Sequence, residues 1–170
     1  MVMARAKTLL DKRQRDMIAA LPSHTIAIDP GETCGIARSY EVPPPTTLDL
    51  HPYYGALSHP LEIFLQGFNY MCITERVDLV IVESYRIYPD KAMAHIGQPL
   101  ITAEAIGAIK WIAGYQGIET IEQPAGIKPT TGAMLKGRGF KAIGTDRHAK
   151  DAEIHLWYYA LNGRMKRGPK

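Results

Sequence analysis

The sequence predicts an α/β domain built on a mixed sheet of about five strands flanked by helices, and three observations carry that expectation. Two short, strongly apolar runs, residues 24–29 and 77–82, are bounded by turn-forming or charged residues, as strands are. Residues 99–116 form a long segment with helical spacing that Gly117 stops. Three early strand-like segments are then followed by helix and strand in alternation, the order expected of helices layered on a sheet.

Taken in order, residues 7–21 read as an exposed amphipathic helix with Leu9, Leu10, Met17, Ile18 and Leu21 on its apolar side, ended by Pro22. Residues 24–29 and 34–40 pair as a hairpin around Pro30 and Gly31. The Pro-rich stretch 42–46 is a loop, 48–57 a third strand, and 61–76 a helix packed on the sheet. Residues 77–82 are almost continuously apolar and β-branched, which suits a central strand covered on both faces, with Glu83 at its end. Residues 84–98 lack a period and read as a loop leading into the helix 99–116, where Ala103, Ala105, Gly107 and Ala108 permit close approach to a sheet. A strand at 118–122, a short helix at 124–135 and a Gly-rich basic loop at 136–144 follow. Thr145 or Asp146 caps a last helix that runs to about Leu161. Trp111 and Trp157 are expected in the core. No internal repeat is present, and the chain divides into an N-terminal helical extension (1–23), one domain (24–162) and a basic tail (163–170).

A chain of 170 residues, 46% hydrophobic and 22% charged, suffices for one substantial core. No window approaches the roughly 18 uninterrupted apolar residues of a membrane span. The first twenty residues carry Arg5, Lys7, Lys12, Arg13 and Arg15 and lack the apolar core of a secretory signal. Cys34 and Cys72 sit in apolar surroundings without a CxxC partner, which suits reduced thiols and a cytoplasmic setting. The net charge of +3 is unevenly spread. Residues 1–20 carry five Lys/Arg against two Asp/Glu, residues 21–120 five against eleven, and residues 121–170 ten against four. An acidic middle between basic ends suits a binder of phosphate backbones with a carboxylate metal site.

The chemistry resides in acids at element ends. Asp29 ends the first strand at a Pro-Gly turn, and Glu83 ends the other strongly apolar strand. If those strands pair in parallel, the two acids lie side by side at the edge where α/β folds bind ligands. Two such carboxylates repel, and one pKa rises, unless a cation sits between them. His148 and Asp151, three apart, share a face near the start of the last helix and can complete an oxygen-rich site. Hard divalent cations such as Mg²⁺ prefer such ligands.

At these residues the sequence resembles the RuvC family of Holliday junction resolvases, within the RNase H-like superfamily. Four segments carry the likeness in the family's order: IAIDPGETCGIA from Ile26, VDLVIVES from Val77, IGQPLITAEAIGAIKWIAGYQGIETIEQPAGIK from Ile96, and HAKDA from His148. The resemblance spans residues 24–161. It implies an RNase H-like mixed sheet and Asp29, Glu83, His148 and Asp151 as a catalytic set holding two Mg²⁺ ions, for which Mn²⁺ can substitute. It further implies a homodimer that cuts four-way junctions, with forks and flaps as further substrates, in recombination and repair. Dimer packing is assigned to the helix 99–116. Lys128 matches a basic residue that the family places near the scissile region. The expected DNA contacts are Lys128 with Tyr85, Arg86 and Tyr88 after the second acid, and Lys136, Arg138, Lys141, Arg147 and Lys150 in and beyond the basic loop; packing within the loop is the alternative for Tyr85 and Tyr88.

This chain departs from the family in several places. The first motif is one residue shorter between Asp29 and Gly35 than the usual bacterial pattern, and Cys34 stands where threonine is typical. The last helix carries Glu153, His155, Trp157, Tyr158 and Tyr159 in place of small aliphatic residues, and an extra helix precedes the first strand. Such divergence in a compact chain resembles the phage-encoded branch. The rival readings are a non-catalytic module that binds branched DNA and an actin-like phosphate-binding ATPase, whose two lobes need a longer chain.

Overall fold

The computed structural model describes residues 21–22, 24–40, 54–87 and 99–162. The expected N-terminal helix (apart from Leu21), the Pro-rich loop, Tyr88 and the basic tail lie outside the described residues.

Among the described residues five strands form one open sheet: β1 (His24–Asp29), β2 (Thr33–Tyr40), β3 (Tyr54–Pro60), β4 (Leu79–Ser84) and β5 (Glu119–Pro124), in the order β3-β2-β1-β4-β5. The hairpin is in place, with β1 antiparallel to β2 from His24↔Tyr40 to Asp29↔Gly35. β4 runs parallel to β1, from Thr25↔Leu79 to Ile28↔Val82, and β5 is parallel to β4. This is the mixed sheet that the sequence predicts. Four helices flank it among the described residues: α1 (Leu61–Thr74), α2 (Ile101–Tyr115), α3 (Ile127–Gly137) and α4 (Arg147–Asn162).

Alternation along the strands sorts the core into two layers. Ile26, Ile28, Val80 and Val82 pack under Phe64, Phe68 and Cys72 of α1 and Ile109 and Ala113 of α2. Ala27, Ala37, Leu79 and Ile81 face Leu135 of α3 and Ala149, Ala152, Leu156 and Trp157 of α4. The parity continues to the strand ends. Asp29 shares the face of Ala27, Glu83 that of Ile81, and Gln123 that of Ile121, so all three project toward α4.

Several boundaries move, each for a local reason. β3 runs to Pro60 rather than ending at Leu57, because its pairing with β2 continues from Ser39↔Tyr54 to Thr33↔Pro60. β5 runs to Pro124, which pairs with Ser84, so α3 begins only at Ile127. α3 takes in Lys136 and Gly137, which the sequence assigns to the loop. The residue that turns out of the helix is Gly139, at φ +77°, and the N–H of Phe140 returns to the carbonyl of Leu135 at 3.0 Å. Gly117 does stop α2, with φ +70° and a 2.9 Å bond from Ile118 N–H to Ala113 C=O.

Two expectations about packing fail. Trp157 is fully buried, edge-on to Phe140 at 4.8 Å, but Trp111 is 69% exposed and stacks on Tyr115 instead of entering the core. Of the small residues in α2, Ala105 and Ala113 are buried against the sheet side, whereas Ala103 and Gly107 are exposed. The helix is therefore turned so that Ala105, Ile109 and Ala113, four apart, form the inner stripe. Cys34 and Cys72 are free and buried.

Candidate active site

The site lies where β1 and β4 end and α3 and α4 begin. The register Ile28↔Val82 makes Asp29 and Glu83 the next residues along two neighbouring strands, as the parallel pairing requires. α4 enters over them because Asp146 fixes its first turn. Asp146 Oδ1 accepts the N–H of Ala149 at 3.1 Å, which settles the cap between Thr145 and Asp146 in favour of the aspartate. Its other oxygen accepts the hydroxyl of Ser58, tying the helix start to β3. α4 also lies very close to β2. A Cβ placed on Gly35 would stand 2.0 Å from the carbonyl oxygen of His148, so only glycine fits there.

Three carboxylates converge on one ammonium group. Lys128, in the first turn of α3, places Nζ 2.7 Å from Glu83 Oε2, 2.9 Å from Asp151 Oδ2 and 3.3 Å from Asp29 Oδ1. His148 Nδ1 is 2.7 Å from Asp29 Oδ2. All four acids and bases of the expected set, Asp29, Glu83, His148 and Asp151, thus meet in one cluster, with Lys128 among them.

The electrostatics follow from burial and these contacts. Burial raises the Asp29 carboxyl, and its hydrogen bond with Glu83 raises it further, outweighing the opposing effects of His148 and Lys128. Burial would raise Glu83 too, but the bonds from His155, Asp29 and Lys128 carry it well below the usual carboxylate range. The pair is therefore split, with Asp29 the more readily protonated, and burial rather than repulsion is the main cause. Burial disfavours the Lys128 ammonium, yet hydrogen bonds to Glu83 and Asp151 more than offset this and raise its pKa.

The donor set bears on a divalent cation. Among the described residues no three His, Cys, Asp or Glu side chains stand ready as an ion cage. The three carboxylates instead surround a positively charged group, and they present the hard oxygen ligands that Mg²⁺ takes. Their chemistry fits such an ion, provided that Lys128 yields its place.

Sequence reasoning missed three residues around this cluster. His155, one turn beyond Asp151 on α4, places Nε2 2.8 Å from Glu83 Oε2 and Nδ1 2.9 Å from Gln123 Oε1 on β5. Glu153, buried in the same helix, accepts the backbone N–H of Ile143 at 3.1 Å and of Gly144 at 3.0 Å, pinning the loop ahead of α4. The four-residue spacing from Asp151 to His155 could have drawn attention to the histidine; nothing in the sequence marks Gln123.

Of the expected DNA-contacting residues, Lys128 and Arg147 approach the cluster. Lys136, Arg138, Lys141, Arg147 and Lys150 are exposed, and Arg147 stands 3.9 Å from Asp151. Arg86 is exposed and Tyr85 half-buried just after β4.

The order β3-β2-β1-β4-β5 with helices on both faces is an RNase H-like fold, and solved structures share it. RuvC from Thermus thermophilus in complex with a Holliday junction substrate superposes with a TM-score of 0.54 at 19% identity, over 85% of this chain and 97% of that one. A second Thermus thermophilus RuvC structure gives 0.53 at 19% identity, over 84% and 96%. The chain has a RuvC-like fold. No family model matches its sequence, and no curated protein matches it either. No helix of the described residues is long and apolar enough to cross a membrane.

Proposed function

We propose that this chain is a structure-selective endonuclease that resolves Holliday junctions, and cuts other branched DNA such as forks and flaps, through divalent-cation hydrolysis of a phosphodiester. Residues 24–162 are its nuclease domain. The observation that carries the reading is the convergence of Asp29, Glu83 and Asp151, from three separate elements, on the Lys128 ammonium. A structural ion pair needs only one acid per ammonium; three acids per lysine leave a surplus of negative charge that suits divalent cations. The RuvC-like fold agrees, since the solved neighbour is held with a Holliday junction substrate.

Asp29, Glu83 and Asp151 are the residues that would hold Mg²⁺ or Mn²⁺, with His148 at the rim. Such ions, when bound, supply a nucleophilic hydroxide and charge stabilisation at the leaving oxygen. His148 is suited to handle a proton. When Asp29 is ionised its Oδ2 can only accept, so the close contact there orients the ring with Nδ1 as the donor and turns Nε2 away from the carboxylate. That is the arrangement of a general base oriented by a carboxylate. Lys128 offsets part of the acids' charge in the metal-free chain and, displaced by a bound cation, would offer its ammonium to phosphate. Exposed Lys136, Arg138, Lys141, Arg147 and Lys150, with Arg86 and Tyr85, contact the DNA. Two strands of a four-way junction are cut by two sites, so the working form is a homodimer.

The test is a cleavage panel of labelled four-way, three-way, flap and linear DNA with Mg²⁺ or Mn²⁺. Wild-type protein is expected to cut branched DNA, and Asp29→Asn and Asp151→Asn to bind it while cutting at least about 100-fold more slowly. If branched DNA stays intact, the proposal is lost. One observation favours a second reading, a non-catalytic module for branched DNA: the Lys128 ammonium already sits among the acids, where a cation would bind. Junction binding in EDTA without cutting in Mn²⁺ would establish it.

A further inference from the structure

Glu83 Oε2 has two close donors of different character. One is Lys128 Nζ at 2.7 Å, on a flexible stem that retains some exposure; the other is His155 Nε2 at 2.8 Å, from a side chain that is 0% exposed. The lysine has room to swing away. The histidine, enclosed on the inner face of α4, does not. Its other nitrogen is engaged as well, since Nδ1 lies 2.9 Å from the Gln123 amide of β5.

We propose that His155, anchored by Gln123, is a positioning residue that fixes the Glu83 carboxylate in the orientation that binds a divalent cation. The inference rests on the reading of Glu83 as a metal ligand and adds a part that this reading does not contain. An ionised carboxylate can only accept, so Nε2 carries a proton and donates it to Oε2. In the neutral ring Nδ1 is then an acceptor, and the Gln123 amide is turned so that its NH₂ donates to it; only an imidazolium would let Gln123 Oε1 accept from Nδ1–H. Both settings keep Nε2–H aimed at Glu83. A carboxylate has about four lone-pair sites, so one bond from imidazole leaves acceptor capacity for a cation. When Lys128 leaves, His155 is the fixed donor that remains on Oε2. Without it, Glu83 must be ordered by the cation itself, at the side-chain entropy cost that ligand-orienting groups remove.

The test measures Mn²⁺ affinity of the full chain, stripped with EDTA and dialysed, from the signal of unbound Mn²⁺ in electron paramagnetic resonance. Thermal melts report folding in parallel. His155→Asn, which reaches toward Gln123 but not Glu83, is expected to weaken Mn²⁺ binding about 10- to 100-fold. His155→Gln, whose longer amide can donate to Glu83, is expected to recover affinity to within about threefold of wild type. In a Glu83→Gln background His155→Asn should add no further loss, because its effect passes through that carboxylate. A histidine that only fills the core would shift melting and leave Mn²⁺ affinity alone. Wild-type affinity in folded His155→Asn, or full additivity with Glu83→Gln, overturns the proposal. If His155→Asn does not fold, Gln123→Met carries the test: a loss of about three- to tenfold supports the proposal and unchanged affinity overturns it. A wild-type chain that binds no Mn²⁺ defeats the metal reading and this inference together. Mn²⁺ binding that depends on Asp29 but not on His155 defeats this inference only.

Discussion

Lys128 Nζ stands 2.7 Å from Glu83 Oε2, so the cation nearest to the second acid of the site comes from the protein's own chain. The same ammonium reaches Asp151 and Asp29, and one lysine therefore offsets charge contributed by three strand and helix ends. Its removal leaves those carboxylates facing one another in a site of limited solvent access.

Lys128→Met is accordingly expected to destabilise the metal-free chain by about 3 kcal/mol, the scale for losing one partner of a largely buried pair. Added Mg²⁺ should restore much of that loss, since a bound ion stabilises the folded form by mass action. The measurement is a pair of thermal melts, with and without Mg²⁺, on wild type and variant. The prediction fails if Mg²⁺ raises the two melting temperatures equally.

Gly35 predicts a second effect at the opposite side of the site. A Cβ there would meet the His148 carbonyl oxygen at 2.0 Å and the Ala149 nitrogen at 2.8 Å, both backbone atoms that no rotamer change can move. Gly35→Ala must push the start of α4 away from β2, at a cost of at least about 1–3 kcal/mol. His148 and Asp151 ride on that first turn. A displacement of about 1 Å is enough to lower the cleavage rate roughly 100-fold, even in molecules that remain folded. Cleavage of a four-way junction at a temperature well below the variant's melting point tests this; near-normal rates would refute it.

How far the sequence discloses such relationships depends on their range. Asp29 and Glu83 were legible because each closes a short apolar run, and the run implies the strand that aims the acid. His148 and Asp151 were legible by helical spacing and by family likeness. Lys128 could be placed near the site only by that likeness, because its position depends on where β5 delivers α3. The Gln123 contact was out of reach, being a matter of strand order and parity that no local pattern records. Trp111 shows the opposite failure. Its size and apolarity argue for the core, but the stripe Ala105, Ile109, Ala113 fixes the face of α2, and Trp111 falls outside that stripe.

Glu153 gives a dependence on pH whose sign follows from its surroundings. Burial pushes this carboxyl up to about 7, against the opposing N–H bonds of Gly144 and Ile143 and the contact with Trp157. An acid held above its unfolded value binds its proton more tightly in the folded chain. Its contribution is therefore complete below the unfolded value of 4.5 and is lost as pH rises to about 7. The shift corresponds to roughly 3 kcal/mol across that window. Glu153→Gln, which cannot ionise, should flatten this part of the profile. Urea unfolding of the metal-free chain at pH 5, 6, 7 and 8 decides the matter, and parallel profiles for the two proteins would contradict it.

Trp111 and Tyr115 carry the last prediction. They are 69% and 76% exposed, stack at 5.6 Å between ring centroids, and lie on the outer side of α2, the helix to which dimer packing is assigned. Two large aromatic side chains held together in water keep apolar area exposed that folding elsewhere removes, and aromatic anchors of this kind concentrate at the centres of protein interfaces. A second copy of the chain presenting the same helix would bury them self-complementarily, as two-fold symmetry demands. Trp111→Glu places a charge at that centre and is expected to convert the proposed dimer to monomer in light scattering behind size-exclusion chromatography. The monomer's melting temperature should stay close to that of diluted wild type, because the residue contributes little to its own core. If two active sites on one dimer cut the two opposed strands, the variant should also nick junctions without producing paired cuts, visible as separation of first and second cleavage on a supercoiled cruciform plasmid. A variant that remains dimeric, or a wild type that is monomeric at micromolar concentration, would remove α2 from this role.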